Sequence, residues 1–146
     1  TNNASVSLEF GNISGDASTQ RGILLPWVTS SSATTNAVSG TLIFDTSDKK
    51  AKCLMGNTWI PLTDSGTVDT SLQDNLTELT NAKVSIGTPS SAPGILVLEA
   101  SNKAMILPIV DSYKSIVNPS PGMMVYDNSN EKLCFFNGSI WTFWTF

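Results

Sequence analysis

The sequence predicts a mainly β fold: two tandem copies of a small antiparallel β-module, sandwich- or barrel-like and sharing a core, joined by a short helical or loop linker. The first observation behind this is a phrase that occurs twice without a gap. Gly22-Ile23-Leu24-Leu25-Pro26-Trp27-Val28 returns as Ala104-Met105-Ile106-Leu107-Pro108-Ile109-Val110, and Gly40-Thr41-Leu42-Ile43-Phe44-Asp45 returns as Gly122-Met123-Met124-Val125-Tyr126-Asp127. Gly56-Asn57-Thr58-Trp59 returns as Gly138-Ser139-Ile140-Trp141, so every pair shares an offset of 82 positions (104 against 22, 122 against 40, 141 against 59). A fixed internal period takes precedence over any local reading. The second observation is alternation: Val6, Leu8 and Phe10 against Ser5, Ser7 and Glu9 is the period of a strand with one apolar face. The third is punctuation, with turn formers at Asp45-Thr46-Ser47-Asp48-Lys49, Gly56-Asn57 and Asn137-Gly138.

These divide the chain into a first β-repeat with an N-terminal strand (1–63), a linker (64–93) and a second β-repeat (94–146). In the first repeat, strands are expected at 23–28, 41–45, 51–55 and 58–62, with a loop at 13–20 and a polar stretch at 30–38 suited to one helical turn. In the second, strands are expected at 95–100, 105–110, 123–127, 132–136 and 140–146, with one helical turn within 111–117. Pro26 and Pro108 occupy equivalent places inside strand-like runs; proline lacks the ladder N–H, so these strands belong at an edge or carry a bulge. In the linker, Ser71 is placed to cap a short helix with Leu72, Leu76 and Leu79 on one face, and residues 88–93 read as a stiff spacer. Such a helix is too short to stand without a packing partner.

The repeats differ at their outer edges. The Glu9 strand aligns with the Glu99 strand only at an offset of 90, because eight extra residues, 13–20, follow it. The first strand is therefore tethered, free to fold back on its own module or to reach a neighbouring chain. At the other end, alternation puts Trp141 and Phe143 on one face of the last strand and Trp144 and Phe146 on the other. A strand that is aromatic on both faces is an aggregation hazard if left bare. Val6, Leu8, Phe10, Trp144 and Phe146 are accordingly the candidate subunit contacts.

Composition narrows the function. Of 146 residues, 40% are hydrophobic and only 14% charged, against roughly 25% charged in ordinary soluble domains. A module of half this length buries only about 60% of its unfolded surface, so the copies should share a core or lean on a neighbouring chain. The net charge is −4, without the positive footprint that nucleic acid or anionic membrane requires. Lys49-Lys50-Ala51-Lys52 reads as the solvated end of a hairpin. No apolar run approaches the roughly 20 residues that cross a bilayer, so neither nucleic acid nor membrane insertion is expected. The chain opens at Thr1 without Met, which is compatible with a trimmed chain or a removed leader. The polar, charge-poor composition favours the latter: extracellular or cell-surface location after loss of a signal peptide.

There is no histidine, which removes the usual Ser–His–Asp and Cys–His machinery and the commonest zinc ligand. Asp45 and Asp127 are the best carboxylate candidates for a glycosidase, yet turn formation explains both better. Their loops resemble calcium loops only faintly, lacking the twelfth-position Glu and the glycine. Cys53 and Cys134 form a possible disulfide pair, although Cys134 aligns with Lys52 and not with Cys53, so that bonded and buried free thiols stand equally. No enzyme and no cofactor are expected.

The motifs resemble a repeat of secreted and surface proteins of the Bacteroidetes, flavobacteria especially, and similar motifs occur in phage tail-fibre-like proteins. The second copy carries the resemblance through Leu107-Pro108, Asn118-Pro119, residues 122–127, Asn137-Gly138 and Trp141. The first departs with Asn36-Ala37 and Gly56-Asn57. The resemblance implies export and surface display and no activity. The leading expectation is a non-enzymatic structural protein that self-associates with copies of itself, as subunit of a surface fibre or filament, through strand addition. The alternative is a carbohydrate-binding or adhesive module, including a phage-fibre-like trimer, with surface glycans as partner and Trp27, Trp59 or Trp144 as a stacking platform.

Overall fold

The structure is a computed structural model that describes residues 6–10, 20–71, 73–79 and 81–145. It is mainly β, with thirteen short strands among the described residues: β1 (Val6–Glu9), β2 (Ile23–Leu24), β3 (Trp27–Val28), β4 (Leu42–Asp45), β5 (Lys50–Met55), β6 (Thr58–Pro61), β7 (Val84–Ile86), β8 (Leu96–Leu98), β9 (Ala104–Ile106), β10 (Ile109–Val110), β11 (Met123–Asp127), β12 (Lys132–Phe136) and β13 (Trp141–Trp144). One larger sheet has the order β3-β4-β5-β6; the other has β10-β11-β12-β13, with β2 added to β11. Two pairs, β1-β9 and β7-β8, complete the set.

The larger sheets have the same internal bonding. In each, the first pair is parallel and the next two are antiparallel. The register Trp27↔Phe44 and Val28↔Asp45 recurs as Ile109↔Tyr126 and Val110↔Asp127. Left-handed backbone recurs too, at Asn36 and Asn118 (φ 58 and 50) and at Lys49 and Glu131 (φ 62 and 52). Every one of these pairs is 82 positions apart.

Proline explains why each expected six-residue strand is two strands of two or three residues. Pro26 has no N–H for a ladder, yet its carbonyl accepts from Phe44 N at 2.8 Å, as the Pro108 carbonyl does from Tyr126 N at 2.9 Å. The chain changes partner at this point: β2 runs antiparallel to β11, and β3 runs parallel to β4. β3 and β10 are edge strands of their sheets, where a preceding proline is tolerated.

The polar stretches after β3 and β10 each form one 3₁₀ turn, Ser31–Ala33 and Tyr113–Ser115. Ser30 caps the first by accepting from Ala33 N, and Ser112 caps the second by accepting from Lys114 N. The helix expected from Ser71 is not formed by the described residues. Thr70 O accepts from Gln73 N and Asp74 N, and Gln73 O from Leu76 N, giving turns only. Leu76 and Leu79 are 73% and 77% exposed; with none of the described residues covering these two side chains, one turn cannot offset the entropy of nucleation. Leu72 lies outside the described residues. β7, within the segment read as linker, is a strand that local pattern does not announce; it pairs in parallel with β8.

One core lies between the two larger sheets, with Phe44 and Ala51 from the first, Met124 and Phe135 from the second, and Leu25 from the step between β2 and β3. A second cluster, Val110, Ile116, Val125 and Cys134, lies on the other face of the second sheet.

Candidate assembly surface

Two buried aspartates fix the ends of the larger sheets. Asp45 is fully buried at the end of β4. Its Oδ2 accepts from Ser31 N at 2.7 Å and Lys52 Nζ at 2.8 Å, and its Oδ1 from Ser47 N at 3.0 Å and Ser47 Oγ at 2.6 Å. Burial acts to raise its pKa, but the bonds from Lys52, Ser47 and Ser31 outweigh it and hold the carboxyl well below the usual carboxylate range. Asp127 is also fully buried and accepts from Tyr113 N at 3.1 Å and Asn130 N at 2.9 Å. Its pKa is lowered as well, bonds from Tyr113 and Asn130 overcoming burial. Each carboxylate thus ties a 3₁₀ turn to a sheet, and each has its oxygens committed to donors of that turn, that sheet and its hairpin.

Lys52 corrects the reading of 49–52 as a solvated hairpin end. It is buried in β5, bridging Asp45 and, at 2.6 Å, Asp48. Burial lowers its pKa and the two carboxylates raise it further, for a net rise. Its partner at the 82-residue offset is Cys134, so the first carboxylate is paired with an ammonium while the second, among the described residues, is met only by neutral amide donors.

The sheets meet at a tight junction. Trp27 Nε1 donates to Pro121 O at 2.7 Å, and Leu25 N to Gly122 O at 3.1 Å. Gly122 has φ +83, and a Cβ there would stand 2.9 Å from Phe44 Cβ. Residues 64–67 complete the contact from the other side: Asn137 Nδ2 donates to Asp64 O at 3.0 Å and Thr67 N to Asn137 O at 3.1 Å.

Beyond this junction lies an open apolar groove of about 260 Å³, lined by Ile106, Leu107, Ile109 and Tyr126. Register places Tyr126, Leu133 and Trp144 side by side across β11, β12 and β13. Trp144, at the end of that row, is 41% exposed. On the opposite face, Trp141 and Phe143 pack on Tyr113 with ring centroids 5.7 and 4.8 Å apart. The alternation read from the sequence therefore separates Trp141 and Phe143 from Trp144 as expected.

The remaining candidates are spread over several elements. Val6 and Leu8 are half-buried in β1, which pairs in parallel with β9 of the same chain. Phe10 follows it, half-buried, and Phe146 lies outside the described residues. Cys53 and Cys134 are both free. Burial pushes the Cys134 thiol up to about 11 and raises Cys53 as well. Trp27 serves the junction and is not part of an open platform. The groove itself is a feature that sequence reasoning misses. Its signal is present in Leu107-Pro108-Ile109, an apolar step that proline prevents from continuing one ladder.

The family described as phage tail like trimerisation region matches residues 84–145, a stretch that holds β7 to β13 and the groove. The chain is thereby similar to phage tail-like proteins, and the match supports a structural, oligomerising protein that self-associates. A Bacteroidetes origin gains no support. No curated protein and no solved structure matches the chain.

Proposed function

We propose that this chain is a non-enzymatic structural subunit of a fibre displayed outside the cell or on a tail-like particle, and that its working form is a homotrimer. The observation that carries the reading is the trimerisation-region match over 84–145. Apolar surface lies within that stretch: an open groove, and Trp144 at the end of a partly buried row. This open apolar surface is available to a protein contact and carries no acidic or basic side chain in its lining. The two best carboxylates, Asp45 and Asp127, have their oxygens bonded to their own modules, which favours a structural role for both.

Sedimentation velocity of the full chain over a wide concentration range tests this. One species of three copies is expected. A chain that stays monomeric at the highest concentration contradicts the proposal.

A further inference from the structure

We propose that the groove of Ile106, Leu107, Ile109 and Tyr126 seats a second copy of this chain, which inserts the turn formed by its residues 38–40. This rests on the trimeric reading above and adds to it the surface and the occupant.

The occupant is identified by what fills the same place 82 positions earlier. The groove residues correspond to Leu24, Leu25, Trp27 and Phe44. There, Leu25, Trp27 and Phe44 are covered from within the chain by the Pro121-Gly122 turn, held by Leu25 N, by Trp27 Nε1 and by the approach of Gly122 to Phe44, while Leu24 at the rim stays 49% exposed. The corresponding turn, Ser39-Gly40, has the same construction. Gly40 has φ +93, and its N donates to Leu54 O at 2.7 Å, as Gly122 N does to Phe136 O at 2.7 Å. Yet among the described residues this turn is bare: nothing lies within 4 Å of a Cβ built on Gly40, and Val38 beside it is 48% exposed.

Among the described residues, one chain therefore holds a covered socket with its plug, an open socket and a free plug. The row across the sheets makes the same point. Phe44 and Ala51 are completely buried, whereas Tyr126 and Leu133, at the matching positions, are only half-buried. An incoming turn would remove that apolar surface from water. Because plug and socket are different surfaces, the contact is head-to-tail, and its rotation decides between a closed ring and an open filament. Closure after three copies satisfies every plug and socket.

The test uses full-length chains. Val38→Cys and Tyr126→Cys are made separately, mixed in equal amounts under exchange conditions, and treated with a short bismaleimide, with wild type and each single variant as controls. Cross-linked pairs formed only in the mixture, together with a trimer by sedimentation, are the expected result. A trimer without the mixed cross-link overturns the groove as the interface while leaving the trimeric reading standing. A wild-type monomer overturns both. A second variant, Gly40→Asn, uses the residue type that enters left-handed backbone most readily after glycine; its Cβ would meet nothing within 4 Å among the described residues, so its cost within the chain is backbone strain at φ +93. It is expected to shift the trimer to a folded monomer with unchanged circular dichroism; Gly40→Asn that trimerises as wild type overturns the proposal.

Discussion

Replacing Asp45 by Asn should destabilise the chain by about 3 kcal/mol, near the lower end of what losing one partner of a buried ion pair costs. The size follows from the bonding. Both carboxylate oxygens are used: Oδ2 by Ser31 N and Lys52 Nζ, Oδ1 by Ser47 N and Oγ. An amide offers only one acceptor oxygen, so it must turn its NH₂ toward one of these donor pairs. Lys52 is then left buried without the more deeply buried of its two neutralising charges, although Asp48 at 2.6 Å limits the damage. Lys52→Met should cost less, because the Asp45 oxygens keep three neutral donors. The double variant should cost less than the sum of the two, with a coupling on the order of 1–3 kcal/mol. Urea unfolding followed by tryptophan fluorescence, at one protein concentration, measures all three. An Asp45→Asn variant within about 0.5 kcal/mol of wild type, the range of ordinary surface changes, would refute the idea that this carboxylate anchors the first 3₁₀ turn.

The same groups set the pH response. Asp45 and Asp127 have folded pKa values below their ordinary 3.8, so their contribution is present above pH 3.8 and lost as pH falls through the lowered values. Lys52, raised above 10.5, contributes below that pH and loses its contribution as pH rises through the folded value. Thermal melts should therefore fall below about pH 4 and hold at pH 9. Gly66→Ala would place a Cβ 1.8 Å from Asn137 O and should cost at least about 3 kcal/mol through overpacking. Gly56→Ala, with open space and φ +60, should cost only about 1–2 kcal/mol of left-handed strain; equal losses in denaturant titrations would contradict the close contact at residues 64–67. Ile109→Trp would add to the groove the donor that Trp27 has, and should tighten self-association about fivefold through one hydrogen bond of about 1 kcal/mol, read by sedimentation equilibrium.

Much of the fold is legible in local pattern alone. The hairpins closed by Gly56-Asn57 and Asn137-Gly138, and the strands between their turn formers, lie close to where alternation places them. Ser30 and Ser112 sit where a polar stretch can cap one short turn. What stays hidden depends on distant contacts. Pro26 and Pro108 advertise an interrupted ladder, but only tertiary packing decides that β2 crosses to β11 while β3 stays with β4. Lys52 looks solvated within a basic run, because nothing local says that Asp45 lies beneath it. Leu76 and Leu79 have helical spacing, but among the described residues no partner surface covers them. The groove is invisible as a motif because it is defined by the absence, beside Tyr126, of the turn that covers Phe44.

Subunit counting by native mass spectrometry tests self-association most directly. Unlabelled and isotopically heavy chains, each of 15.6 kDa, are mixed, exchanged under mild denaturant and returned to native buffer. A trimer gives four mass species in one cluster at about three times the chain mass, the number expected when three positions are filled from two pools. Two unmixed monomer masses at every concentration would contradict a homotrimer formed through the groove and the residue 38–40 turn.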